Sequence, residues 1–540
     1  MKQLKKIWML NYDSINMTSD EINQIIMSLS DFPNELQCEA IDRLMVYCDK
    51  ISVDAKANLK RIISNLWQCK CCNFCCKKSL FQHSLAILNM GNAQFYGIED
   101  YSNVEKVGVI VPDYLSANSF LQPPIDMLNA ITIFGEYDIE YKFIDNRVKH
   151  FNFFQIGNHF KDCKYILLTT TPYDHIQNYF IDYRLKFTFL LVNYLKKCFP
   201  DKIVILCGAH GTVRLDLVER ECLCDIIIRG EYDFIAPDYI YALMNKRRYE
   251  GNNVYYCRRN GNENWSNINL SYRNNINIIP DYSNINLKDY YGDVYKNNLL
   301  EKVPEYAAIL ASRGCYNRCS YCYNFWGNNV RYRDEINVVD EMEMLESAGA
   351  KGVFFIDSTF TQNKEWTSRI CKEIKRRKLR IVWSAETRTD CVDRELLQDM
   401  KAANCTALWF GVESYCDQVL EVNHKKNKCG TSIDALAACR EIGIQPQQFI
   451  MIGAPGETKE SINKTLSFLM DVDSTFTESV MVTTPRFGSK LYELAKLQFP
   501  KLGNDFYSLN GVKGLVGNDL TADILYRVRK MSQNRQLQFV

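Results

Sequence analysis

Two kinds of apolar pattern alternate along the chain from Lys106 onward, short unbroken runs of Val, Ile and Leu and longer stretches with helical spacing. The runs 107–111, 139–144, 165–170, 203–207 and 226–229 predict strands buried on both faces, because one-sided strands would alternate apolar with polar residues. Between them, 125–134 and 178–197 predict helices. Strands and helices taking turns in this way predict a doubly wound, Rossmann-like α/β domain with a parallel sheet.

The alternation resumes after residue 303. The runs 306–311, 352–356, 381–385, 407–412, 449–452 and 480–483 predict strands, and helical faces are predicted at 338–345, 366–378, 396–403, 433–442 and 462–469. Six βα-type units in a row predict a partial (β/α)6 barrel of the TIM type, whose strand ends converge on one face. The first hundred residues predict a small helical segment. Ser19 followed by Glu21 precedes the spacing Ile22, Ile25, Ile26, Leu29, and a second helix is predicted over 36–48. The expected organisation is a helical, Cys-rich segment over 1–100, the first α/β domain over 101–250, an Asn- and Tyr-rich linker with one hairpin at most over 251–302, the barrel over 303–490 and a tail over 491–540.

Composition narrows the class. In 540 residues the formal net charge is +1 with no basic run, so nucleic acid is not an expected partner. The apolar stretch at the N-terminus is broken by Asn11 and Asp13, which makes a poor secretory signal, and no run of about 18 apolar residues exists to span a membrane. A chain of this size without a signal and with 22 cysteines is expected to keep them as reduced thiols in a cytoplasm, with metal bound at selected positions. Cys371, Cys405 and Cys439 lie in apolar-periodic segments and read as core residues. Cys69, Cys71, Cys72, Cys75 and Cys76, followed by His83, leave two readings open, a second metal or redox site or thiols buried in a helix or turn; their spacing matches no zinc pattern.

One cysteine group is more informative. Cys315, Cys319 and Cys322, in RGCYNRCSYC, follow the first strand of the second domain with CxxxCxxC spacing. Three thiolates on one tight loop suit a soft metal, and an iron–sulfur cluster of four irons held by three cysteines leaves one iron open to another ligand. Polar residues stand at the ends of the next strands: Asp357 and Ser358, Glu386 and Arg388, Glu413 and Ser414, and Gly453 to Glu457. In the first domain the strand-end loops are 112–119, 169–172, 208–212 and 230–232; three of the four are dominated by small and hydroxyl residues, which let a large ligand approach the backbone closely.

The cysteine motif with Tyr321 before its last cysteine resembles the radical S-adenosylmethionine (SAM) superfamily, and FIDSTFTQN, ETRTD, WFGVES and MIGAPGET resemble its cobalamin-dependent branch. The preceding domain resembles the cobalamin-binding domain of such enzymes at Gln122-Pro123-Pro124, Gly208-Ala209-His210 and Gly230-Glu231. The resemblance implies a 4Fe-4S cluster on Cys315, Cys319 and Cys322, with SAM on the open iron. Arg388 would take its carboxylate, Glu413 and Ser414 the ribose or amino acid moiety, and the Gly453 to Gly456 backbone the adenine. Cobalamin would lie against Gln122, Pro123, Thr170, Gly208, His210, Gly230 and Glu231. No DxHxxG motif is present, so His210 is not expected to ligate cobalt. The activity implied is methylation of an unactivated carbon or phosphorus of a small-molecule or peptide substrate through a 5′-deoxyadenosyl radical and methylcobalamin, with electrons from a flavodoxin or ferredoxin. The alternative is a radical cyclisation, oxidation or rearrangement without net methyl transfer.

Overall fold

The computed structural model describes residues 18–31, 37, 51–68, 105–113, 121–171, 182–257, 270–296, 299–471, 478–483, 485–498 and 538–539. The chain divides into two compact units, one of residues 1–117 and 126–271 and one of residues 118–125 and 272–540. The expected helix 36–48 and the group Cys69 to Cys76 with His83 lie outside the described residues, apart from Gln37.

In the first unit, α1 (Ser19–Ser28) and α2 (Val53–Gln68) form a pair joined by Asn58 Nδ2 donating to the Ile26 carbonyl at 3.0 Å. Thr18, not Ser19, caps α1: its hydroxyl accepts from Glu21 N at 3.3 Å while its own N–H donates to Glu21 Oε2 at 3.1 Å. The capping box needs a spacing of three, and only position 18 stands three before Glu21. The rest of the unit runs β1 (Val107–Val111), α3 (Ile125–Glu136, all but its first residue), β2 (Tyr141–Asp145), α4 (Asn146–Lys149), α5 (Phe153–His159), β3 (Tyr165–Thr169), α6 (Asp182–Cys198), β4 (Ile203–Cys207), α7 (Ala209–Val213), α8 (Leu215–Glu221), β5 (Ile226–Ile228), α9 (Tyr232–Met244) and β6 (Val254–Tyr256).

Its sheet has the order β2-β1-β3-β4-β5-β6, parallel through β5. The reversal of direction at β1 puts helices on both faces and opens a crevice at the strand ends. β6 adds an antiparallel edge, Ile227 opposite Tyr255, so this sheet reaches past residue 250.

The second unit begins with a hairpin, β7 (Tyr291–Lys296) and β8 (Leu299–Pro304), to which Leu121 is bridged through Tyr291. Then follow β9 (Tyr306–Ile309), β10 (Ser312–Arg313), β11 (Arg331–Tyr332), α10 (Glu335–Ser347), β12 (Gly352–Phe355), α11 (Lys364–Arg377), β13 (Val382–Thr387), α12 (Arg394–Ala402) and β14 (Cys405–Glu413). The chain continues through α13 (Asp417–Val422), α14 (Cys429–Ile442), β15 (Gln445–Ile452), α15 (Lys459–Asp471), β16 (Glu478–Val482), α16 (Lys490–Gln498) and β17 (Gln538–Phe539).

Its seven-stranded parallel sheet runs β9-β12-β13-β14-β15-β16-β17, in chain order, with the short β10–β11 pair set aside after β9. Winding in one direction only, with right-handed crossovers, sends the helices that connect successive strands to the same face. The core agrees: Ile309, Phe355, Trp383, Phe410 and Ile450 pack with Met342, Ile370, Met400, Leu436 and Leu466 from α10, α11, α12, α14 and α15.

Candidate functional site

The three cysteines stand on a loop whose base is closed by β10 and β11, paired antiparallel with Ser312 opposite Tyr332 and Arg313 opposite Arg331. Gly314 opens the loop at φ +97°, and a Cβ there would lie 2.6 Å from the Asn329 carbonyl oxygen, so the turn admits glycine alone. Within the loop Cys315 N donates to the Gly327 carbonyl at 3.2 Å, Asn324 Nδ2 to the Cys315 carbonyl at 2.8 Å and Cys322 N to the Cys319 carbonyl at 3.2 Å.

Asp357, at the end of β12, fixes the strand that feeds the loop. It is fully buried, accepts from Ala311 N at 3.2 Å and Ser312 Oγ at 2.5 Å, and burial pushes its carboxyl up to about 7. Asn423, the residue after α13, anchors the loop from the side. Its carbonyl accepts from Ser320 N at 3.0 Å, its Oδ1 from Ser320 Oγ at 2.8 Å, and its Nδ2 donates to the Pro455 carbonyl at 2.8 Å. Leu491 N, in α16, donates to the Ser320 carbonyl at 2.7 Å.

Cys315 and Cys319 are half-buried and Cys322 is exposed. Thr359 Oγ1 is 3.7 Å from Cys315 Sγ, and Asn317 Nδ2 is 3.6 Å from the same sulfur. Arg388 Nη1 lies 4.0 Å from Cys319 Sγ, while Nε and Nη2 donate to the two oxygens of Asp390 at 2.9 and 2.6 Å. Burial works against the Arg388 charge, and the bonds to Asp390 more than offset it. A set of three soft donors with a fixed cation beside one of them fits an anionic iron–sulfur cluster. Among the described residues the buried hydroxyl of Tyr321, Oδ1 of Asn324 and Nε2 of Gln362 find no hydrogen-bond partner. Polar atoms left open around a thiol loop fit a polar ligand held there.

The later strand ends differ in what they offer. Glu413 closes β14 at φ +69° after an irregularity in register that follows Gly411. Its Oε1 accepts from the buried Lys425 Nζ at 3.2 Å, and the pair lies where a side chain on Gly411 would be, 2.6 and 2.8 Å from the place of its Cβ. Sequence reasoning passed over Lys425; a glycine inside a strand was the available signal. Ser414 turns toward α15, its Oγ 3.4 Å from Thr465 Oγ1. Gly453 and Gly456 both have positive φ, +90° and +82°. The amides of Gly453 and Ala454 donate to Glu457 Oε2 at 2.5 and 3.2 Å. Glu457 Oε1 is buried with no hydrogen-bond partner among the described residues, and burial pushes this carboxyl up to about 7.

In the first unit the ends of β3, β4 and β5 come together. Gly208, at φ +107°, passes so near β3 that a Cβ would lie 2.4 Å from Thr170 Oγ1. His210 is buried, with Nδ1 3.2 Å from Thr170 Oγ1 and 3.1 Å from Thr171 Oγ1. Gly230 N donates to Thr212 Oγ1 at 2.9 Å, and Glu231 is fully buried at the start of α9. Thr170, Gly208, His210 and Gly230 are thus gathered at the carboxyl ends of three neighbouring strands, where small and hydroxyl residues fit a large cofactor resting on backbone. Gln122 and Pro123 belong to the segment grouped with the second unit. Most of the loop after β1 and the loop after Thr171 lie outside the described residues.

Comparison with known proteins agrees with this arrangement. Residues 309–469 match the model of the radical SAM superfamily. An uncharacterized methyltransferase of Pyrococcus horikoshii is 29% identical over 297 residues, 54% of this chain and 62% of that protein. The anaerobic magnesium-protoporphyrin IX monomethyl ester cyclase of Cereibacter sphaeroides is 28% identical over 290 residues, 50% of this chain and 45% of that protein. The chain thus spans less than two thirds of these relatives. The radical SAM methyltransferase TsrM of Kitasatospora setae, solved with tryptophan and a SAM analogue, matches with TM-score 0.57 and 18% identity over 73% of this chain and 76% of that one. The same enzyme has been solved with cobalamin and a [4Fe-4S] cluster bound. Residues 309–469 thus carry a match to the radical SAM superfamily, and the fold of the chain is similar to that of the radical SAM methyltransferase TsrM.

Proposed function

We propose that this chain is a cobalamin-dependent radical SAM methyltransferase acting on an unactivated carbon or phosphorus of a small-molecule or peptide substrate. The observation that carries the reading is the convergence on the Cys315–Cys322 loop of Arg388 from the end of β13 and Asn423 from the end of α13, the latter also holding the Gly453 to Glu457 loop. Bound together, the cluster and SAM supply a hydrogen-abstracting radical, and cobalamin supplies the methyl group.

The chain's own residues bind and orient. Cys315, Cys319 and Cys322 hold the cluster and leave one iron for SAM. Arg388 is held as a cation by Asp390 and takes the carboxylate of SAM, and the Glu413–Lys425 pair meets its amino acid or ribose part. Gly453 to Gly456 supply backbone for adenine, while Ser414, turned toward Thr465, supports the strand end. Thr170, Gly208, His210, Gly230 and Glu231, all of the first unit, would cradle cobalamin. His210 Nδ1 lies within hydrogen-bond distance of the Thr170 and Thr171 hydroxyls, which fixes the ring at the strand ends.

In this reading the first sheet with its antiparallel edge is the Rossmann-like cobalamin domain and the second a partial barrel, with a flavodoxin or ferredoxin as electron donor in a cytoplasm. Among the described residues no helix is long and apolar enough to cross a membrane. Anaerobically reconstituted protein given SAM, a reductant and an acceptor substrate should form 5′-deoxyadenosine and S-adenosylhomocysteine together, with a methyl added to the acceptor. The similarity to a cyclase favours a second reading, radical chemistry without methyl transfer. Deoxyadenosine and altered acceptor without S-adenosylhomocysteine would select it and reject the first.

A further inference from the structure

The two faces of the seven-stranded sheet are unlike. Toward the helices its side chains are fully buried, whereas on the other face Phe354, Glu386, Trp409 and Phe449 are only half-buried. Strand register sets Glu386 beside Trp409 and Trp409 beside Gln447, so the three form one row across β13, β14 and β15 on this face. The Trp409 ring stacks on Phe449, with centroids 5.6 Å apart at 29°, and meets Phe354 edge to face at 6.3 Å and 86°.

At the end of the row Gln447 is 1% exposed, and among the described residues neither its Oε1 nor its Nε2 has a hydrogen-bond partner. A primary amide in this state is destabilising, and an apolar residue of the same size would fill the place at less cost. The row stands two residues before Arg388 on β13 and four before Glu413 on β14, inside the strand ends that carry the cluster-facing groups.

We infer that the Trp409–Gln447 row is a substrate subsite for a planar ring whose edge presents an N–H beside a carbonyl, as in a lactam or ring amide. The inference rests on the radical SAM reading for what happens to the ring. Trp409 and Phe449 supply the stacking surface, and the Gln447 amide supplies one donor and one acceptor side by side. Adenine offers a similar flat face and a donor–acceptor edge, so the test must separate an acceptor substrate from SAM.

The probes are 2-quinolone and its N-methyl derivative, titrated calorimetrically into the anaerobically reconstituted full chain, with SAM titrated separately. Wild type should bind 2-quinolone on the order of tenfold more tightly than the N-methyl compound. Gln447→Leu should bring the two to near equality and leave SAM affinity unchanged, and Trp409→Ala should weaken both ring compounds together. Equal binding of the two by wild type, or a preference that survives Gln447→Leu, overturns the inference. A loss of SAM affinity in Gln447→Leu overturns it as well, by giving the row to adenine. Failure of the wild type to cleave SAM would count against the radical reading instead, since ring binding is read without turnover.

Discussion

Asn423 stands between two loops that the proposed chemistry needs held together. Asn423→Ala would leave the Ser320 hydroxyl and the Pro455 carbonyl without their partner, at about 1–3 kcal/mol for each buried group left unpaired. The expected outcome is a lower thermal midpoint and reduced iron per chain after anaerobic reconstitution; full iron content would show that the loop does not depend on this anchor. Glu457 gives a prediction with a sign. Burial holds its carboxyl at about 7 against an ordinary 4.5, so the folded state binds the extra proton between these values. Stability from this group is therefore present below pH 4.5 and lost as pH rises to about 7, and Asp357, also raised to about 7, acts in the same direction. The thermal midpoint should fall between pH 5 and pH 8 (roughly the span of the shift), and Glu457→Gln should shrink the fall; an equal fall in the variant would contradict the assignment. At this scale the cysteine triad and Arg388 were legible because spacing and strand-end position are local signals. Asn423, Lys425 and Gln447 were not, because each acquires its role only from a partner, or the lack of one, across the fold.

Strands buried on both faces were legible nearly to the residue, as in Val107–Val111 and Ile203–Cys207, because an unbroken apolar run bounded by polar residues has few other uses. Elements stabilised by pairing and not by their own pattern went unseen: β6, which is three residues long, and the two-residue strands β10 and β11. Those two short strands matter most to the site, since they shut the base of the cysteine loop. Gly314→Ala tests that element. The added methyl would meet the Asn329 carbonyl at 2.6 Å at a φ that disfavours side chains, a strain of about 1–3 kcal/mol in backbone that has little room to move. Cluster content should drop while far-UV circular dichroism stays near wild type. Unchanged cluster content would mean that the loop closes in another way.

Across the whole molecule, alternation of strands and helices conveyed two α/β sheets but not their strand orders, which depend on long-range pairing. The order β2-β1-β3-β4-β5 puts the ends of β3, β4 and β5 side by side with Thr170, Gly208 and Gly230, and the sequential order of the second sheet gathers the helices that connect its strands on one face. Nor did the pattern around Gln122 show that residues 118–125 group with the second unit. In the proposed function the two units carry separate cofactor sites, an iron–sulfur cluster on three cysteines and cobalamin on the first sheet. Anaerobic purification of the full chain and of the Cys315→Ala, Cys319→Ala, Cys322→Ala triple variant, with iron, sulfide and cobalamin quantified, tests it directly. The expected result is that the triple variant loses the iron and sulfide of one 4Fe-4S cluster and keeps wild-type cobalamin; iron retained in the variant, or a wild type that binds no cobalamin, would contradict the claim.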